Sequence, residues 1–256
     1  MINNCTLFHG NCFDILPKLD VVADAVISDP PFGITEADWD KAPPLDTMWT
    51  LLDAKTKPTA NFVMFGCGKF SINLVNSKYR WYRYDLIWVK NNKVGFLNAN
   101  TQPMRSHEQI LVFGRSGFRA AATYQPVKTP GGRAFTTRTR TRQGGVYPAS
   151  TYMSESDGMR HPCSVLSFDN DRGNNQTGLS LHPTQKPLAL MEWLVRTYTN
   201  EGDVVLDPFM GSGTTGVACA KLNRRFIGIE RESNFFEMAA DRIRALQLGN
   251  LFADAS

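Results

Sequence analysis

The chain has 256 residues, which at about 150 per domain corresponds to one large domain or one core with a sizeable insertion. Hydrophobic residues make up 42% and charged residues 20%, an ordinary globular composition that can bury a substantial core and argues against disorder over most of the length. The formal net charge of +4 does not by itself indicate nucleic acid, no apolar run approaches the roughly 18 residues of a membrane helix, and residues 1–9 lack the basic and apolar regions of a targeting segment, so a cytoplasmic protein without membrane contact is expected.

In chain order, the first strong strand is expected at 25–28, followed by a proline-rich loop and a helix over 45–57. Strands follow at 62–65, 85–89 and 110–113. Between 117 and 181 the apolar runs give way to Thr, Arg, Gly, Ser and Asn, the composition of an insertion. Beyond it a helix is expected over 187–199, opening with Pro in its first turn, then a strand at 204–206, a helix over 214–222, a strand at 226–229 and a helix over 234–246. Short unbroken apolar runs, rather than alternation, mark strands buried on both faces, so the class is α/β: a parallel or mixed sheet covered by helices. The core is expected in residues 1–116 and 181–248, the insertion in 117–180, and a frayed tail in 249–256.

Two loops carry the chemistry. The first is SerAspProProPheGly at 28–33. Two prolines fix the backbone and remove two donors, leaving the Asp29 carboxylate beside the carbonyl of Pro30 as a paired acceptor. The exocyclic amine of adenine is a poor nucleophile because its lone pair is delocalised into the ring. Two acceptors holding its two N–H bonds draw that nitrogen toward a tetrahedral geometry, and Phe32 offers a stacking face to a base that has left the duplex. Alone, Asp followed by two prolines is also an ordinary turn.

The second loop follows strand 204–206. Gly211, Gly213 and Gly216 satisfy GxGxxG, and Glu230 comes 19 residues after Gly211, near the spacing at which an acid meets ribose hydroxyls. A nicotinamide or flavin dinucleotide, a phosphate-free cofactor, and a close strand-to-helix turn with no ligand all fit this pattern. Asp207 would repel a pyrophosphate. It suits a cationic ligand such as S-adenosylmethionine (AdoMet), which carries a sulfonium and an ammonium and has ribose hydroxyls for Glu230 to accept from.

In this order the loops resemble the amino-methylating DNA methyltransferases of the permuted β group, in which DPPF or DPPY precedes the AdoMet loop: AspProProPhe at 29–32 and AspProPheMetGlySerGlyThrThr at 207–215. HisProThrGlnLysPro (182–187), IleTrpValLys (87–90) and HisGluGlnIleLeuValPhe (107–113) extend the similarity over residues 7–115 and 181–245. The resemblance implies a Rossmann-like AdoMet-dependent methyltransferase sheet with helices on both faces and an inserted target-recognition region. It implies methyl transfer to adenine N6 in double-stranded DNA after base flipping. Cytosine-N4 transfer is the alternative, whose usual motif begins with Ser where this chain has Asp29. Catalysis would rest on Asp29, Pro30, Pro31 and Phe32. AdoMet would be held by Asn11, Asp29, Thr184, Lys186, Asp207 and Phe209, and by Gly211, Ser212, Gly213, Thr214 and Glu230, with no metal. Many relatives have Asp after the glycine that is Gly10 here; Asn11 both donates and accepts, which suits contact with the cofactor's adenine.

Residues 115–180 hold nine Lys or Arg against four Asp or Glu, slightly more than the whole excess of the chain. Arg138, Arg140 and Arg142 alternate, so in an extended segment all three point one way. With Arg133 they are expected to meet phosphates or guanine edges, a solvated loop being the bland alternative. Cys5, Cys12, Cys67, Cys163 and Cys219 form no CxxC pair, which argues against a disulfide framework or structural zinc. Pro162 with Cys163 invites a cytosine-carbon mechanism through a thiolate, but its place inside the weakly patterned insertion disfavours that reading. His107 and Glu108 read as structural residues at a strand end. From other classes, a non-catalytic DNA-binding module would leave Asp29, Lys186 and Glu230 unemployed, and a nicotinamide oxidoreductase would leave the DPPF loop unexplained. A homodimer is compatible with the family context.

Overall fold

Apolar runs too short for helices become strands covered on both sides, and the site is built where those strands end. The computed structural model describes residues 4–117, 119–131, 133–142, 150–169 and 185–253. The chain divides into a larger unit, Met1–Gln125 with Ser164–Ser256, and a smaller one, Pro126–Cys163. The larger unit runs β1 (Cys5–His9), α1 (Cys12–Ile15), β2 (Ala23–Ser28), α2 (Leu45–Ala54), β3 (Thr56–Gly66), α3 (Lys69–Ser77), β4 (Tyr82–Val94) and β5 (Arg105–Phe113). The smaller unit holds β6 (Thr129–Pro130), β7 (Phe135–Arg142), β8 (Ser150–Ser156) and β9 (Met159–Arg160). The chain then returns through β10 (Val165–Ser167), α4 (Leu188–Tyr198), β11 (Val204–Asp207), α5 (Thr214–Lys221), β12 (Arg225–Glu230) and α6 (Ser233–Ala253).

The larger unit is an eight-stranded sheet of order β1-β12-β11-β2-β3-β5-β4-β10. Only β5 is reversed, pairing antiparallel with both β3 and β4. Alternation within β3 explains the unbroken run: Phe62 and Met64 join a core with Trp49, Leu52 and Phe70, from α2 and α3, while Val63 and Phe65 join a core with Leu190, Leu194 and Ile243, from α4 and α6. Because the strands are parallel, β1, β2, β11 and β12 all end at the same edge, and β5, being reversed, begins there. That edge is where ligands enter open α/β sheets.

The expected strands are all present, and β1, α1, α3 and the strands β6 to β10 are additional. Helix α2 stops at Ala54 rather than residue 57 because the Thr56 hydroxyl donates back to the Leu52 carbonyl while its backbone opens β3. Helix α6 continues to Ala253, through part of the stretch expected to fray. The separate unit is smaller than 117–180: Gln125 donates its N–H to Thr197 of α4, and β10 pairs with β4 in the main sheet. In the smaller unit, β7 and β8 form an antiparallel ribbon with Arg138, Arg140 and Arg142 opposite Ser154, Tyr152 and Ser150. Among the described residues no helix is long and apolar enough to cross a membrane.

Candidate active site

The loop after β2 is held by one side chain. The Asp40 carboxylate accepts four backbone N–H bonds: Oδ1 from Phe32 (2.8 Å) and Gly33 (2.9 Å), Oδ2 from Ile34 (3.0 Å) and Thr35 (2.7 Å). Burial works against its charge, but the hydrogen bonds from Thr35, Gly33 and Ile34 outweigh it and hold the carboxyl below its ordinary value. Phe32 is thereby fixed, and its ring rests against Phe70 at a centroid distance of 5.2 Å. Asp40 was not identified from sequence.

Asp29 sits inside a chain of four alternating charges. The Lys186 ammonium hydrogen-bonds Asp29 Oδ2 and lies 3.3 Å from Glu108 Oε2, while Glu108 Oε1 accepts from Lys90. The set is neutral as a whole, which is the condition under which buried charges persist. Burial pushes the Asp29 carboxyl above its usual range against the pull of Lys186. Glu108 goes the other way: burial opposes its charge, yet Lys186 and Lys90 together hold it low. The two carboxylates overcome burial to keep Lys186 firmly protonated. Asp29 Oδ1 is buried, has neither a hydrogen-bond nor an ion-pair partner among the described residues, and belongs to a side chain lining an open cavity; Glu108 Oε2, also buried without a hydrogen bond, has the Lys186 ammonium at 3.3 Å. Glu108 is a member of this buried ion-pair network, and Lys90 is a second member that sequence reading missed.

The loop after β11 is organised by Asp207 and Arg242. Asp207 accepts from the hydroxyls of Ser28 (2.6 Å) and Thr215 (2.7 Å) and from the Phe209 N–H (3.1 Å). Burial raises its carboxyl to about 6 despite these donors. Its oxygens are thus engaged in tying β2, the loop and α5 together. Arg242 of α6 donates to the Ser212 carbonyl (2.6 Å) and to the Thr214 hydroxyl (3.1 Å). At Gly213, with φ +76°, a Cβ would lie 2.7 Å from Ala239 Cβ, so the turn needs glycine on both counts. Glu230 accepts from the Gly211 N–H (2.9 Å) through Oε2 and from the Glu232 N–H (2.8 Å) through Oε1. A carboxylate has about four acceptor positions, so Glu230 retains capacity for a ligand hydroxyl.

One cavity of about 600 Å³ joins the two loops. It is lined by Asp29, Pro30, Pro31 and Phe32 from the first, by Asp207, Phe209, Gly211, Ser212, Thr214 and Glu230 from the second, and by Asn11 and Lys186. Its volume is that of a small-molecule site. Asn11 spends its Oδ1 capping α1, accepting from the Phe13 N–H at 3.0 Å. Lys90, Arg105 and Glu108 line the same cavity.

A family model described as DNA methylase, covering the N6 and N4 types, matches residues 23–241. The chain belongs to this DNA methylase family. It is 29% identical to the type II methyltransferase M1.MboII of Moraxella bovis over 255 residues, covering 93% of this chain and 96% of that one. Among solved structures it is similar to an M1.HpyAVI–SAM complex, with 27% identity and a TM-score of 0.62 over 93% of this chain and 98% of the other. It also resembles the cytosine-N4-specific PvuII DNA methyltransferase at TM-score 0.62 and 17% identity, over 93% and 86% of the two chains, a likeness of fold alone. Family membership removes the oxidoreductase and the non-catalytic readings.

In this DNA methylase, the sequence-expected residues fall into three groups. Twelve line the common cavity, as given above. Gly213 shapes the turn behind it, and Thr184 lies outside the described residues. Arg133 is exposed, and Arg138, Arg140 and Arg142 occupy alternate positions of β7. Cys163 is exposed and reduced.

Proposed function

We infer that the chain transfers a methyl group from AdoMet to the N6 amine of adenine in double-stranded DNA, with the base turned out of the helix into the cavity. The observation that carries this is the unpartnered, buried Oδ1 of Asp29 beside the carbonyl of Pro30. A buried acceptor without a donor costs about 1–3 kcal/mol, and a substrate N–H removes that cost. The residues fit AdoMet: Glu230 has acceptor capacity for hydroxyls, Asp207 disfavours a pyrophosphate, and M1.HpyAVI, 27% identical, is described in complex with SAM. When bound, AdoMet supplies a methyl group on a positively charged sulfur. Asp29 and Pro30 accept the two amine N–H bonds and free the nitrogen lone pair, Phe32 stacks on the base, and Lys186 and Asp40 hold Asp29 and the loop in place. Arg133, Arg138, Arg140 and Arg142 are assigned to the DNA.

Mass spectrometry of nucleosides from duplexes incubated with labelled AdoMet, together with single-molecule sequencing of DNA from expressing cells, tests base and site. N6-methyladenine is expected. N4-methylcytosine in its place would move the assignment to the other amine, and no methylated base would end it.

Glu230→Ala should weaken AdoMet by about 1.5 to 3 kcal/mol, the range for hydrogen bonds to a charged group, and raising AdoMet should restore most of the rate. Titration calorimetry beside initial rates checks this; a rate that stays low at saturating AdoMet would place Glu230 in the chemical step.

A further inference from the structure

The chain leaving β4 makes a short turn that no described residue covers. Gly95, at φ +90°, reverses the backbone, and Phe96–Asn98 form one turn of 3-10 helix. The turn is closed by its own hydrogen bonds: Asn98 N–H to the Gly95 carbonyl (3.0 Å), Ala99 N–H to Phe96 (3.0 Å), and Thr101 and Gln102 N–H to Asn98 (2.9 and 3.0 Å). At its apex Phe96 is 76% exposed and Leu97 95% exposed. Two large apolar side chains held outward on an internally bonded turn are costly unless a partner covers them.

The partner's chemistry follows from the surroundings. From Lys90 to Ser106 the chain has no Asp or Glu; Lys90 is spent on Glu108 and Asn91 donates to Asp169, so the cations left to meet a polyanion are the exposed Lys93, and Arg105, which donates to Cys67 Sγ. Val94 lines the same cavity as Asp29 and Phe32. Phe96 follows Val94 by two residues, a reach of at most about 7 Å along the chain. A base that enters the cavity leaves a gap in the stack beside the cavity mouth, and apolar side chains are what proteins insert between base steps. We propose that Phe96 and Leu97 are a wedge that enters the DNA duplex next to the extruded base and fills the space it vacates. This rests on the base-flipping reading above and adds to it the element that stabilises the opened duplex.

The test compares wild type with the double variant Phe96→Ala/Leu97→Ala on two duplexes carrying the methylation site, one fully paired and one with an abasic position opposite the target. On the paired duplex the variant should lose roughly tenfold to a hundredfold in kcat/KM, the range for removing a base-stacking side chain. On the abasic duplex, where opening the stack is already cheaper, it should recover to within a few-fold of wild type. AdoMet affinity by calorimetry should be unchanged. The fluorescence of 2-aminopurine placed beside the target should rise on binding wild type and not on binding the variant, while Phe96→Trp/Leu97→Met should behave as wild type. Equal losses on both duplexes, no loss on either, or a variant whose only change is conversion of a dimer to a monomer in sedimentation would overturn the wedge alone. A wild type that methylates neither duplex would overturn the amine-methylation reading and the wedge with it.

Discussion

Asp29→Ala should lower methyl transfer at least about a hundredfold while leaving AdoMet affinity within about tenfold of wild type. The reason is the division of labour between its two oxygens. Oδ2 is spent on Lys186, and only Oδ1 is without a partner in the cavity. An acceptor that gains its donor only when the target amine arrives acts on the chemical step, so its removal shows in kcat more than in cofactor binding. Radiolabel transfer at saturating AdoMet, with calorimetry on the same preparations, separates the two. The variant leaves Lys186 facing Glu108 alone, so a melting curve belongs beside the rates. Asp29→Asn, which keeps an Oδ1 acceptor but loses the charge, should fall between the two. Transfer by Asp29→Ala above a few per cent of wild type would remove Asp29 from its role.

Much of this was legible in the sequence because the relevant signals are local. The runs at 25–28 and 62–65 are unbroken since each strand packs against helices on both faces, and that is a property of the run itself. The DPPF and glycine loops announce themselves by composition and spacing. Asp40 does not. Its role is to receive four N–H bonds from residues five to eight positions earlier, and nothing in an acid following Trp39 signals it. Lys90, Glu108, Lys186 and Asp29 are far apart in the chain, and the reversal of β5, which leaves no trace in apolar periodicity, brings them together. A faint signal existed: Glu108 is in phase with buried Ile110 and Val112, and Lys90 with buried Leu86 and Trp88. A charge in the buried phase of a strand needs a partner, and two such charges of opposite sign on successive strands are candidates for each other.

Lys186→Met tests whether that network tunes Asp29 or only holds the fold. Without the ammonium, Asp29 and Glu108 face one another as two buried carboxylates with only Lys90 to balance them, and breaking a buried ionic set this way costs about 3 to 5 kcal/mol. The direction for Asp29 is fixed. Burial already lifts its carboxyl, Lys186 is the main influence pulling it down, and Glu108 pushes it up, so removing the lysine raises it further. If the ionised carboxylate is the acceptor, activity falls as pH drops through its pKa, and the acid limb of the pH–rate profile should move to higher pH in the variant. At neutral pH kcat should fall, and part of it should return on raising the pH. A lysine serving only the cofactor would raise KM for AdoMet and leave that limb where it was. A lysine serving only the fold would lower the melting temperature without moving the limb. The double variant Asp29→Asn/Lys186→Met separates stability from chemistry, since it removes one charge of each sign and leaves Glu108 with Lys90. It should melt above Lys186→Met and be no more active than Asp29→Asn alone, with none of the recovery that Lys186→Met shows on raising the pH, whereas activity restored to the wild-type level would show that the Asp29 charge takes no part in the reaction.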